Sequence, residues 1–385
     1  MNNIQYQITS SMVRNLFIAL SRIIPIVTGM GINFAITIGA MAAQVGMLLA
    51  INWSLTGMSG ILVAALITVP LASLFGFLIG SLLNKMKGQE TIGSLILGYF
   101  ANGAYQLLFL FVFGLIIPLS AKVTIVGATG VRNTLDLTIN GLQGSLDNVL
   151  KIHFGLALYI VSGFIALMAL ILLLTGKMSR KRGIALIVLP AVLSALYSLP
   201  FVYPYFGNVY VPVVTFLLVG LLCLFNAGIM KTRLGQQFRA VGQNRTVANA
   251  AGINVNRVRL IAIMISTVFA GWGQIIFIQN LGTLQTYSAH EMVGLYAGAA
   301  ILVGGASIDR ATNAQAIIGC LLFHTLFVVA QDAGTVLFGD PVVGEYFRVF
   351  LCYGVIAVAL VMYAWRGVKK AMKPSAQAAI PTGKV

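Results

Sequence analysis

The chain has 385 residues, of which 59% are hydrophobic and only 8% charged, and its mean hydropathy is +0.96. Soluble domains are about half apolar and a quarter charged, so this composition excludes an ordinary soluble fold. The net charge of +16 suggests nucleic acid at first sight. The basic residues, however, lie between apolar runs, as in the cytoplasmic loops of membrane proteins, and no nucleic-acid partner is expected.

Apolar runs that suit bilayer spans fall near 13–30, 33–51, 60–83, 92–118, 154–174, 184–200, 210–229, 260–280, 292–306, 312–330 and 346–365. The alternation of a membrane β-barrel is absent, which leaves helices. The expected fold is all-α, a polytopic transmembrane helical bundle of about 9–11 spans. The second and ninth runs are short or broken by glycine and are not expected to cross fully. Eighteen basic residues against Glu90 and Asp309 gather on one set of connections; the other set, with the N-terminal segment, carries six of each sign. The positive-inside rule then puts the C-terminus in the cytoplasm and, with an odd span count, the N-terminus outside. Residues 1–366 read as a single transmembrane domain, with an external loop at 119–153 and a cytoplasmic loop at 230–259. A short basic cytoplasmic tail follows at 367–385. Gly76/Gly80 and Gly294/Gly298 are spaced to let helices approach closely.

Catalytic chemistry is hard to find. There is no GxxxxGK[ST] loop for ATP, and "GMGINF" and "GWGQII" lack the third glycine of a dinucleotide fingerprint. His290-Glu291 begins like a zinc-protease motif, but Gly294 stands where its second histidine would be. Cys223, Cys320 and Cys352 sit in apolar runs without ligand spacing and read as small buried hydrophobes. No catalytic, cofactor-binding or metal residue is expected, and the chain is not expected to be an enzyme by itself. Eight acids in all leave no intramembrane carboxylate relay of the kind that ion-driven carriers use. What the spans do hold is uncharged polar groups: Asn33, Gln44, Asn102, Gln106, Gln274, Gln279, Asn280, Tyr296 and His324. Each is either an interhelical hydrogen bond or part of a solute pathway. Amides and aromatic rings suit a polyhydroxylated or heterocyclic solute better than an ion. Glu291 and Asp332 are placed near the outer face.

The stretch "KTRLGQQFRAVGQNRTVANAAGINVNRVRL" (231–260) holds six Lys or Arg and no acid. Asn244 is a good N-cap and Gly252 suits the position just past a helix end, which predicts a helix of about two turns. Val247, Ala248, Ala251 and Ile253 offer it a small apolar face. So short a helix needs a surface to lie on. Physical argument alone leaves two: the headgroups of the bilayer, or a groove in a partner protein.

The stretch also resembles the cytoplasmic signature of ABC-importer permeases of the branched-chain amino acid and simple-sugar superfamily. The matching residues are Thr232, Arg233, Gly235, Arg239, Ala240, Gly242, Asn244, Ala248, Gly252, Ile253, Asn254 and Val255. "LIAIMISTVFAGWGQIIF" is similar to that family's next helix through Ser266, Ala270 and Gly271. "YAGAAILVGGASIDRATNAQAIIG" is similar to its late segment through Gly304 and Gly305. Upstream, "KGQETIGSLILGYFANG" resembles the nucleoside-type branch at Glu90, Leu97 and Tyr99, with Gly98 where the family has Asn; the hairpin at 154–200 is extra.

The resemblance implies a transmembrane permease subunit of an ATP-binding-cassette importer, on a pathway for a simple sugar or nucleoside. Residues expected to couple it to an ATPase are Arg239, Gly242, Asn244, Arg245, Val247, Ala248, Ala251, Gly252 and Ile253. Implied partners are a second permease subunit (a paralogue or another copy), two ATP-binding subunits, an extracytoplasmic solute-binding protein and membrane lipid. ATP and Mg would sit on the ATPase subunits, with no cofactor on this chain. The implied location is the bacterial inner (cytoplasmic) membrane, as a multi-pass protein. The competing expectations are a branched-chain amino acid permease and an ATP-independent channel or secondary carrier.

Overall fold

The computed structural model describes residues 2–371, apart from 32, 34, 35, 87, 88, 126–129, 177, 208, 308 and 309. The expected tail at 367–385 therefore lies outside the described residues from 372 onward. The chain opens with α1 (Asn2–Ser21), a short α2 (Ile23–Val27) and, after a turn, α3 (Thr37–Asn52). α4 (Gly57–Lys85) and α5 (Glu90–Leu107) follow, and α5 continues as a π-helical turn at Leu108–Val112. Beyond lie β1 (Thr134–Asp136), β2 (Lys151–His153), α6 (Phe154–Leu174), α7 (Arg180–Tyr197), α8 (Tyr203–Phe206) and β3 (Tyr210–Pro212). The second half is α9 (Val213–Ile229), α10 (Arg233–Gln243), α11 (Arg245–Ala250), α12 (Val255–Leu281), β4 (Thr283–Gln285), α13 (Val293–Val303), α14 (Asn313–Phe338) and α15 (Pro341–Ala371).

Among the described residues seven helices are long and apolar enough to cross a bilayer, or eight if α9 and α10, bent by 76° at their junction, count as one. The chain is an all-α polytopic bundle. The second and ninth expected runs are the short apolar helices α3 and α13. The sixth, 184–200, is helical in α7, but Arg180, Lys181 and Arg182 fill its first turn and it does not qualify as a full apolar span. The first begins earlier than the expected residue 13. Its polar start is helical because neighbours satisfy it: Ser10 Oγ donates to Asn280 Oδ1 at 2.9 Å and Asn15 Nδ2 to the Ser11 carbonyl at 2.8 Å. In the most apolar 18-residue stretch of Ile4–Val27 72% of residues are buried, and in that of Val255–Leu281 61%, so α1 and α12 form the axis of the bundle.

α3 and α12 pack on one side of α4 through small residues. Gly60, Ala64, Thr68, Ala72, Gly76 and Gly80 recur at every fourth residue along α4, and all are buried. A methyl group on Gly76 would come within 3.0 Å of the Met264 Cα, and one on Gly80 within 2.7 Å of Leu260 Cδ1. Backbones can approach this closely only where Cβ is missing or small, and close approach is what drives helix association in lipid. The opposite face of α4 exposes Leu62, Leu66, Phe77 and Leu78. α6 and α7 pack chiefly on each other, with Ser194 Oγ donating to Ser162 Oγ at 3.0 Å.

The connection between α5 and α6 is more than the polar loop expected. Val123, Val131, Leu135, Leu137, Leu142 and Leu146 are buried in the main core. β1 pairs antiparallel with β4, Leu135 opposite Leu284, and β2 with β3, Ile152 opposite Val211. At the far end of the bundle a second small core joins Ile24, Phe238, Val241, Ala248, Val258 and Ala262. Cys320 and Cys352 are buried, Cys223 half-buried, and all three are free thiols.

Candidate functional site

The basic stretch folds by successive caps. The Thr232 side chain accepts from the Gly235 amide at 3.3 Å and starts α10, a helix the sequence did not announce. Asn244 Oδ1 accepts from the amides of Thr246 (3.0 Å) and Val247 (3.1 Å) and starts α11. Asn254 Oδ1 accepts from the Arg257 amide at 3.0 Å and starts α12. Each cap satisfies one or two of the orphan donors at a helix start and is worth on the order of 1 kcal/mol. Gly252, at φ +81°, takes the left-handed conformation that turns the chain from α11 toward α12.

α10 buries Phe238 and Val241, and Gly242 lies directly on the backbone of Val27 and Gly29. Arg239 Nη2 donates to the Met230 carbonyl at 3.0 Å, at the end of α9. The small apolar face expected on α11 is divided in two. Ala248 points inward and is buried, and Ile253 is half-buried beside it. Val247 is 63% exposed, and Thr246, Asn249, Ala250, Ala251 and Gly252 are exposed with it. The helix thus rests on the bundle by one face and presents another outward.

Arg245, the first residue of α11, holds this element to the bundle. Its Nη1 lies 2.5 Å from Glu90 Oε1 and its Nη2 donates to the Gly29 carbonyl at 2.8 Å. The same Glu90 oxygen accepts from Arg259 Nη2 at 2.7 Å. Glu90 and Arg259 side chains are 7% and 1% exposed, Arg245 32%. One carboxylate therefore joins the start of α5, the break after α2, the start of α11 and the first turns of α12. Charge-assisted bonds of this kind are roughly twice as strong as neutral ones. The sequence marked Glu90 only through resemblance, because its two partners lie 155 and 169 residues away.

Further along α5 is a neutral cluster. His290 lies between Gln44 Oε1 and Asn102 Oδ1, 2.8 Å from each. The Tyr105 hydroxyl is 2.7 Å from Gln44 Oε1 and 3.0 Å from the Thr286 carbonyl. Gln106 Nε2 reaches Asn102 Oδ1 at 3.5 Å, and Asn102 Nδ2 donates to Glu291 at 3.2 Å. Gln274 Nε2 donates to the Ala289 carbonyl at 3.1 Å. Gln44 Nε2 and Gln274 Oε1 are buried without a protein partner, a donor and an acceptor held ready beside the 286–291 segment. Leaving such groups unmatched costs about 1–3 kcal/mol each, so water or a solute is their natural complement.

Of the nine polar residues singled out along the spans, this cluster unites Gln44, Asn102 and Gln106, and Gln274 touches it. The others lie apart. Gln279 is buried and donates within its own helix, Asn280 faces α1 and the loop after β1, and Asn33 is buried beyond α2. Tyr296 packs on Phe323 and Phe327, as does His324, which is buried. The sequence reading missed His290 and Tyr105. The available signal was that Asn102, Tyr105 and Gln106 share one face of a helix.

The family model described as "Branched-chain amino acid transport system / permease component" matches residues 6–360. An autoinducer 2 import system permease protein of Enterobacter sp. (strain 638) is 34% identical over 115 residues, 29% of this chain and 32% of the relative. A nucleoside ABC transporter permease protein of Lactococcus lactis subsp. cremoris is 28% identical over 167 residues, 42% of each. A guanosine ABC transporter permease protein of Bacillus subtilis is 34% identical over 76 residues, 20% of this chain and 24% of the relative. The chain spans between about a quarter and two fifths of the length of these curated relatives. No solved structure matches. With the family model covering nearly all the spans, and a capped helix on the basic loop, this multi-pass membrane protein belongs to the branched-chain amino acid transport system permease family.

Proposed function

We propose that this chain is the transmembrane permease subunit of an ATP-binding-cassette importer for a neutral sugar or nucleoside. The observation that carries the proposal is α11, which is outward-facing at Val247 yet tied through Arg245 to Glu90 and Gly29. Residues 1–366 form the permease domain, with 119–153 outside and 230–259 and the tail from 367 in the cytoplasm. Eighteen basic residues against two acids on one side, and six of each sign on the other, support that orientation, with the N-terminus outside and the C-terminus inside. The membrane is the bacterial inner membrane. ATP hydrolysis belongs to two separate subunits, one of which grips α11, a second permease completes the pathway, and a binding protein delivers solute from outside.

α5 is the lever between the two functional regions. Glu90 starts it, and Asn102 lies twelve residues further on, about 18 Å along a straight helix. A push on α11 is passed by Arg245 to the start of α5 and to the turn after α2. It then moves Asn102 and Tyr105 relative to Gln44 and His290, which opens or closes the neutral cluster. An equilibrium between two such arrangements, biased by the ATPase state, is alternating access.

The family description names amino acids, whereas several relatives are named for nucleosides or autoinducer 2. The cluster favours the second class. It offers amide, imidazole and phenol groups to a solute; the Glu291 carboxylate lies at its edge on Asn102, but among the described residues of the cluster no ammonium or guanidinium accompanies it to complete a pair of sites for a zwitterion. The test is co-purification from the native membrane, followed by uptake and ATPase assays on the reconstituted complex. Sugar- or nucleoside-dependent uptake that requires ATP is expected. Uptake that persists without any ATPase subunit would overturn the reading in favour of a channel or secondary carrier, and leucine as the sole transported solute would favour the amino acid branch.

A further inference from the structure

The cluster around His290 is not the only polar recess in the molecule. A separate cavity of about 240 Å³ opens between the start of α1, the segment 143–151, β3 and the end of α12. It is bounded at its base by Asp147, which is 4% exposed. Asp147 Oδ1 accepts from Thr215 Oγ1 and Oδ2 from Asn280 Nδ2, both at 2.6 Å, and Asn280 Oδ1 in turn accepts from Ser10. Thr215 and Asn280, and Ser10 through Asn280, thus bring three distant parts of the chain around one carboxylate. Among the described residues no cation pairs with it. A carboxylate offers about four lone-pair sites, and Thr215 and Asn280 use two.

The rest of the lining complements what remains. Asn148 and Lys151 bring donors, and Tyr6 and Tyr210, both exposed, bring ring faces and hydroxyls. One carboxylate and one ammonium balance, so the recess carries no net charge to attract an ion. Mixed donors and acceptors beside aromatic faces match a ring that bears several hydroxyls. The volume is below the roughly 300–1,000 Å³ of sites for drug-sized ligands and suits a single sugar ring. We propose that this recess is a binding subsite for the sugar ring of a neutral polyhydroxylated solute, distinct from the cluster at His290. The proposal deepens the importer reading and rests on it for the solute class.

Binding is measured directly, on the permease assembled with its ATPase subunits in lipid nanodiscs and without binding protein. The probes are ribose, glucose, guanosine and, as the charged comparator, leucine. Saturable binding of at least one hydroxylated probe is expected, weakened at least about tenfold in Asn148→Ala and Tyr210→Ala, where a site loses a matched polar or stacking partner. Asp147→Asn should weaken it at least as much. The two exposed lining variants keep the test valid if Asp147→Asn misfolds, since neither position holds the Ser10–Asn280–Asp147–Thr215 chain together. Unchanged affinity in both, no saturable binding of any hydroxylated probe, or tighter binding of leucine would each overturn the subsite. A loss of binding-protein docking with solute affinity intact would also overturn it, because the recess would then receive a side chain of that partner. ATP-driven uptake by the complete complex is scored separately. If uptake of a sugar or nucleoside persists while the variants bind like the parent, the subsite fails and the permease reading stands. If uptake needs no ATPase, that reading fails while the binding assay still decides the subsite.

Discussion

α5 carries two functional groups of opposite character. At its start Glu90 is locked between two arginines, with Arg259 almost fully buried. About three to four turns on, Asn102 and Tyr105 meet Gln44 and His290 through neutral hydrogen bonds, and two amide atoms nearby remain unmatched. The first is a rigid joint, costly to break because a stranded charge cannot escape to water. The second is a loose one, in which bonds of about 1 kcal/mol each can be exchanged for bonds to a passing solute. Under the proposed importer reading, transmission of force and release of cargo call for opposite energetics, and α5 would supply both.

Breaking the joint should have the largest effect. Glu90→Gln leaves Arg259 buried without its counter-charge, a loss on the order of 3–5 kcal/mol. Thermal unfolding in detergent should show a large drop, and solute-stimulated ATP hydrolysis should vanish. Arg245→Ala sharpens the comparison. Its side chain is 32% exposed, so solvent screening limits the stability loss to about 1 kcal/mol or less, while coupling should fail just as completely. If the two variants unfold at the same temperature, the joint does not depend on burial.

Loosening the second group should cost less. His290→Phe removes one partner from each of Gln44 and Asn102, for about 1–3 kcal/mol. Uptake should fall while co-purification with the ATPase subunits is unchanged. Loss of that co-purification would show that the two groups are not separable. Gly252→Val places a branched side chain at φ +81°, a strain of roughly 1–2 kcal/mol confined to the end of α11. The bundle should stay folded, with hydrolysis uncoupled from transport, and Gly252→Asn, which tolerates the left-handed conformation, should restore coupling. The smallest change in stability belongs to Val247→Asp. That side chain is 63% exposed and touches little, so unfolding should be unaltered while affinity for the ATPase subunits, read by pull-down, declines.

The fold was legible in the sequence where the physics is local. Asn244 and Gly252 mark α11 because caps and left-handed glycines act within four residues. The short second and ninth runs foretold α3 and α13, and the spacing of Gly76 and Gly80 foretold a close face on α4. The site was only half legible. Amides in apolar runs are conspicuous, but which of them meet depends on pairings such as Gln44 with His290, 246 residues apart. The buried leucines of the 119–153 loop were overlooked because Leu135, Leu137, Leu142 and Leu146 are spaced irregularly among polar neighbours. Ala248 turned inward because the face of so short a helix is chosen by what it packs on, here Phe238 and Val258.

The hairpin of α6 and α7 has a practical consequence. Only 11% of the residues in the most apolar stretch of α6 are buried within the chain, and its outer leucines and isoleucines are exposed on the flank of the bundle. Evolution can therefore rewrite that flank with one oily residue for another at little expense, and an experimenter can do the same. A fluorophore or spin label on the outward side of α6 would report the tilt of the protein in its bilayer while leaving the working interior undisturbed.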